Sequence, residues 1–134
     1  MTMKFDHVGI AVKSIDSMLA IYSRIGTFEV RQTEVAGQKA RIALLKAGDT
    51  SVEFLEPTSQ DSSLAKFIAE RGEGLHHIAF EVEDIEKTME ELKGRGFRFV
   101  YEHPADGKFG SRVNFMHPKS VGGVLVELTQ NRRG

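Results

Sequence analysis

A chain of 134 residues with 40% apolar and 28% charged side chains has the balance of an ordinary globular protein, which excludes a disordered or fibrous chain. Its net charge of −1 lacks the basic footprint of a nucleic-acid-binding protein. With no cysteine there is neither a disulfide framework nor a thiolate metal site, and no apolar run approaches the roughly 18 residues that span a membrane. Met1 to Asp6 is too short and too polar for a signal peptide, so a soluble cytoplasmic protein is expected.

Tight alternation predicts a first strand over Phe5–Val12. Ile15, Met18, Leu19, Tyr22 and Ile25 follow at helical spacing, with Ser14 where an N-cap belongs and Gly26 where a helix stops. Strands are predicted over Thr27–Gln32, Arg41–Lys46 and Ser51–Glu56, the last two joined by a Gly48-Asp49 turn. Asp61 is then expected to cap a short linker helix with apolar positions Leu64, Phe67 and Ile68. A strand over Leu75–Val82 comes next, then a helix carried by Ile85, Met89 and Leu92 between Asp84 and Gly96. Strands at Phe97–Glu102, Arg112–Met116 and Gly123–Thr129 complete the chain.

The second half copies the first. His7-Val8-Gly9-Ile10-Ala11-Val12 aligns with His77-Ile78-Ala79-Phe80-Glu81-Val82 at an offset of 70, as Gly26 does with Gly96. Val52-Glu53-Phe54-Leu55 aligns with Val126-Glu127-Leu128-Thr129 at an offset of 74, and the four extra residues are assigned to the loop Pro104–Gly110. Two copies make a duplicated module and not a solenoid. The expected fold is α+β: a single domain over 1–134 built from βαβββ modules at 4–57 and 75–130, with a linker helix in 58–74.

Four residues occupy equivalent positions in the repeat: His7 and His77 on the first strand of each module, Glu53 and Glu127 on the last. If the modules pack with pseudo-twofold symmetry the four converge, and two imidazoles with two carboxylates suit a divalent metal whose shell water completes. Strand alternation turns Val8, Ile10 and Val12 to the helix-packed face and His7, Gly9 and Ala11 to the other, where small neighbours leave room. A single His at a strand start is ordinarily structural, and a single Glu among apolar strand residues ordinarily faces solvent. Recurrence of both types at matched positions is what marks these four. His76 points away from His77 and reads as structural, while His103 and His117 lie near loops. Arg112 and Asn114 alternate on their strand and are expected to face the cleft. Lys119, in the turn before Gly122-Gly123, is a candidate for a phosphate. No nucleotide-binding glycine motif or serine-nucleophile motif is present.

At these residues the chain resembles the vicinal oxygen chelate (glyoxalase/bleomycin resistance/dioxygenase) superfamily of paired βαβββ modules, over about residues 4 to 130. Within it the resemblance is to the methylmalonyl-CoA epimerase family, carried by Arg71-Gly72-Glu73-Gly74-Leu75-His76-His77-Ile78-Ala79-Phe80 and Asn114-Phe115-Met116-His117-Pro118-Lys119-Ser120. The resemblance implies a divalent ion (Co²⁺, Ni²⁺, Zn²⁺ or Mn²⁺) held by His7, His77 and Glu127, with Glu53 as fourth ligand where some epimerases carry Gln. It implies an acyl-CoA substrate whose α-proton is removed and returned through a metal-stabilised enolate, with Glu127 the first candidate acid/base and Glu53 the second. Lys119, Ser120, Arg112 and Asn114 are the expected substrate-binding residues, and the protein is expected to be a homodimer with no nucleic-acid or membrane partner. Two His and two Glu are also the ligand set of bacterial lactoylglutathione lyase, the alternative reading. Ala11 stands where many lyases carry an Arg, which favours the epimerase. A non-catalytic binding protein of the same fold is the third reading.

Overall fold

The computed structural model describes residues 2–132; Met1, Arg133 and Gly134, at the ends of the expected domain, lie outside the described residues. The described residues form two compact units, one of residues 7–76 and one of residues 77–132 together with 2–6.

The first unit follows the order β1 (Lys4–Ala11), α1 (Ile15–Tyr22), β2 (Glu29–Val35), β3 (Ala40–Ala47), β4 (Thr50–Pro57) and α2 (Ser63–Arg71), with Lys4–Asp6 of β1 counted in the other unit. Its strands run in the order β2-β3-β4-β1, with β1 parallel to β4 and the other pairs antiparallel. The amphipathic stripe of α1 packs Ile15 on Val12, Ala43, Leu45 and Phe54, with Met18, Leu19 and Tyr22 closing over them. On the opposite face Leu64, Phe67 and Ile68 of α2 pack against Ala11, Ile42 and Leu55. The predicted two-residue turn joins β3 to β4, with Gly48 at φ +68°, a conformation that favours glycine.

The second unit carries β5 (Gly74–Glu81), α3 (Ile85–Gly94), β6 (Ala105–Asp106), β7 (Arg112–Met116), α4 (Pro118–Val121) and β8 (Leu125–Gln130), with Gly74–His76 of β5 counted in the first unit. The strand order is β5-β8-β7-β6, with β5 parallel to β8. Ile85, Met89 and Leu92 of α3 pack on Val82, Met116 and Leu128.

The repeat extends to hydrogen bonds. Ser14 and Asp84 cap α1 and α3 by accepting from Ser17 N–H and Lys87 N–H, as predicted. Glu56 Oε1 accepts the Ile15 N–H, and Gln130 Oε1 accepts the Ile85 N–H, each at 2.9 Å. Each βα connection is therefore pinned from the last strand of its own module.

Four expectations need correction. Asp61 does not cap α2: Ser62 accepts the Ala65 N–H there, while Asp61 pairs with Lys39 and Ser59. No strand forms over Phe97–Glu102. Phe99 makes one bridge to Met116, and the Asn114 side chain then takes both backbone groups of Tyr101, which ends the ladder before it propagates. The four extra residues do not all fall in Pro104–Gly110. In the two registers Leu44 faces Glu53 and Phe115 faces Glu127, offsets of 71 and 74. Three of the four are therefore inserted between β7 and β8, where Pro118 starts the short helix α4 in place of a tight turn. Gly96 does follow its helix in a left-handed conformation (φ +93°), but α1 ends at Tyr22, and Gly26 lies beyond its cap at Ser23.

No described helix is long and apolar enough to cross a membrane.

Candidate metal and substrate site

Parallel pairing of β1 with β4 sets Gly9 opposite Glu53 and His7 opposite Ser51, so His7 and Glu53 rise from the same face. Both are buried, and His7 Nδ1 lies 3.1 Å from Glu53 Oε2. Leu44 on β3 stands on the other side of Glu53, and Ile42 beyond it belongs to the apolar cluster under α2. The strand β3 brings no carboxylate to this face.

The second unit repeats the arrangement. Ala79 stands opposite Glu127 in the β5–β8 pair, and His77 stands opposite Leu125. His77 and Glu127 are buried, with Nε2 and Oε1 3.6 Å apart. Phe115 faces Glu127 from β7, and its ring meets the His77 imidazole edge-to-face at 5.9 Å. A glycine and an alanine stand directly across from the two carboxylates, Gly9 from Glu53 and Ala79 from Glu127.

His7, Glu53, His77 and Glu127 are candidate metal ligands, and their donor chemistry fits the role. Imidazole nitrogen and carboxylate oxygen bind first-row divalent ions at about 2.0–2.2 Å, so two cis ligands stand roughly 3 Å apart. The 3.1 and 3.6 Å separations are close to that spacing. Burying a carboxylate beside an imidazole, away from water, is costly without a compensating cation or proton.

The other predicted site residues lie elsewhere. Asn114 does not face the cleft; it is fully buried on the α3 side of the sheet, its amide 3.5 Å from Met89 Sδ. Arg112, two residues earlier on the same face, pairs with Glu86 in the first turn of α3 at 2.7 Å. It lines an open groove of about 1000 Å³ with Lys4, Asp84, Lys87 and Gln130. Strand alternation is the reason: once Phe115 shares a face with Glu127, Arg112 and Asn114 must take the other. Lys119 is exposed on α4, and Ser120 Oγ accepts the Arg98 N–H at 3.4 Å. The His117 ring caps α4 at its Lys119 N–H, and His76 packs on the Phe67 ring at 4.9 Å. Phe115 is the residue that sequence reading missed, although the same alternation identifies it.

The sequence pattern of the Glyoxalase/Bleomycin resistance protein/Dioxygenase superfamily matches residues 6–115. The chain is 34% identical to the mitochondrial methylmalonyl-CoA epimerase of Homo sapiens over 129 residues, 95% of this chain and 73% of that protein. A crystal structure of the hypothetical protein BH1468 from Bacillus halodurans is 38% identical, with a TM-score of 0.95 over 100% of this chain and 98% of that one. A Streptomyces coelicolor methylmalonyl-CoA epimerase variant, solved with 2-nitronate-propionyl-CoA, is 36% identical, with a TM-score of 0.94 over 98% of this chain and 100% of that one.

Proposed function

The chain belongs to the glyoxalase/bleomycin resistance protein/dioxygenase superfamily, and we propose that it is a metal-dependent methylmalonyl-CoA epimerase. The observation that carries the reading is the pair of buried His–Glu couples, His7–Glu53 and His77–Glu127, at matched positions of a duplicated module. Its likeness to epimerases over nearly the whole chain supports the choice of substrate.

In this reading the four side chains hold one divalent ion from the set Co²⁺, Ni²⁺, Zn²⁺ and Mn²⁺. When bound, the ion supplies a Lewis acid for the thioester and carboxylate oxygens of the substrate. Glu127 takes the α-proton. The C–H electron pair moves to the thioester carbonyl to give the enolate, and a proton returned to the opposite face completes epimerisation. Because β3 offers no acid, Glu53 is the residue proposed to hold that second proton. Lys119 and Ser120 on α4 are proposed to meet the CoA moiety, Lys119 through its exposed ammonium. The protein is proposed to act in the cytoplasm as a homodimer.

The test is proton exchange in D₂O with one methylmalonyl-CoA epimer, using protein stripped of metal and reloaded with Co²⁺. Metal-dependent deuterium uptake at the α-carbon, lost in His7→Ala and Glu127→Ala, is expected. No uptake with metal bound would overturn the epimerase and favour a lactoylglutathione lyase, for which Glu53 in the fourth position is the supporting observation. No uptake and no metal binding would leave a binding protein.

A further inference from the structure

Asn114 is fully buried, and its carboxamide is committed at every bonding position. Its Oδ1 accepts the Tyr101 N–H at 3.1 Å and the Phe115 N–H at 2.8 Å. Its Nδ2 donates to the Tyr101 carbonyl at 2.9 Å and lies 3.5 Å from Met89 Sδ. A side chain thus replaces a neighbouring strand for one residue, and Tyr101 is the residue it holds. The Tyr101 ring packs on Phe115, with centroids 6.2 Å apart and planes at 69°. Phe115 in turn meets His77 at 5.9 Å and stands across from Glu127 in the β7–β8 register.

The result is an aromatic surface that begins at a candidate metal ligand and ends at a half-buried tyrosine, fixed at its backbone by a buried amide. Two-torsion aromatic side chains fixed this way present contact area with little left to order on binding. The Tyr101 hydroxyl makes no hydrogen bond to the described residues, so the backbone clamp serves the position of the ring and not a bond of the phenol.

We propose that Phe115 and Tyr101 form the wall of the substrate site that limits the size of the α-substituent, and that Asn114 is the residue that positions this wall. The inference rests on the epimerase reading. Its ligand chemistry is a malonyl-type CoA thioester with a short alkyl group on the α-carbon, which an apolar aromatic wall accepts and measures. One methylene in such a pocket changes kcat/KM by about 10- to 200-fold when the fit is tight.

The test compares methylmalonyl-CoA with ethylmalonyl-CoA, which differ by one methylene, in the Co²⁺-loaded wild type, Tyr101→Ala and Tyr101→Phe. Tyr101 is only half buried, so both substitutions avoid the folding hazard of altering Asn114. Tyr101→Ala is expected to shift the kcat/KM ratio toward ethylmalonyl-CoA by about fivefold or more, mostly through KM, with Co²⁺ affinity unchanged. Tyr101→Phe keeps the ring and is expected to keep the wild-type ratio. An unchanged ratio in Tyr101→Ala, in a wild type that epimerises methylmalonyl-CoA, would overturn the wall alone. A wild type inactive on both thioesters would remove the epimerase reading and this inference with it.

Discussion

Gly9 lies directly opposite Glu53 in the β1–β4 register, so a buried carboxylate rises next to a residue with no side chain. Gly9 itself is buried, so a side chain added there would meet the protein interior and not water. The β-branched side chain of Gly9→Val suits a strand but would crowd the Glu53 side chain across from it. Displacing a supporting residue of a metal site costs about 10- to 100-fold in affinity. A loss of that size in Co²⁺ titration calorimetry, with the far-UV circular dichroism spectrum retained, is the expected outcome.

The core makes a sharper stability prediction. Phe54 has no exposed surface, and it meets the Tyr22 ring edge-to-face at 4.9 Å beneath α1. Phe54→Ala removes that contact and leaves a cavity, which costs about 3–5 kcal/mol. Ile25 just past α1 is 67% exposed, and Ile25→Ser is expected to stay within about 0.5 kcal/mol of wild type. Urea unfolding of both variants checks the contrast.

Period-2 and period-3.6 patterns were enough to place most elements, although β3 and β4 are apolar on both faces, under α1 on one side and α2 on the other. Arg112–Met116 matches β7 at both ends, and Ser14 and Asp84 cap the helices expected of them. Two of the misses trace to side chains competing with backbone. Asn114 ends the ladder predicted over Phe97–Glu102, and Ser62 takes the cap expected at Asp61 because Lys39 and Ser59 hold that carboxylate. The His and Glu of each module were legible because they repeat. Phe115 and Tyr101 were not, because their partners in the repeat are not aromatic: Leu44 occupies the position opposite Glu53.

Asp61 gives a pH prediction with a definite sign. Hydrogen bonds from Ser59 and Lys39, and the charge of the Lys39 ammonium at 3.0 Å, hold its carboxyl below the ordinary value of 3.8. A carboxyl depressed in the folded state adds stability above its unfolded pKa and loses it as pH falls through the folded value. The contribution is therefore constant from neutral pH to about pH 5 and disappears only below about pH 4. Lys39→Met is expected to move the Asp61 carboxyl back toward 3.8, which a carboxyl carbon NMR titration reads directly.

Glu53 carries the strongest mechanistic prediction, because Glu53→Gln keeps shape and hydrogen-bonding oxygen while removing the charge and the basic site. A residue that only completes the ligand set would tolerate this, since an amide oxygen also binds divalent ions. A residue that holds the second proton would not. On the proposed mechanism Glu53→Gln lowers kcat for methylmalonyl-CoA by about 10²- to 10⁴-fold while KM changes little, because the lost interaction acts in proton transfer and not in binding. Glu127→Gln lowers kcat as well, but the two variants differ in isotope behaviour. With the epimer whose α-proton faces Glu127, in D₂O, Glu53→Gln retains removal of that proton by Glu127 and, after exchange with solvent, returns deuterium to the same face, so label enters the substrate faster than the other epimer forms. Equal rates of labelling and epimerisation in Glu53→Gln would show that the second proton comes from elsewhere.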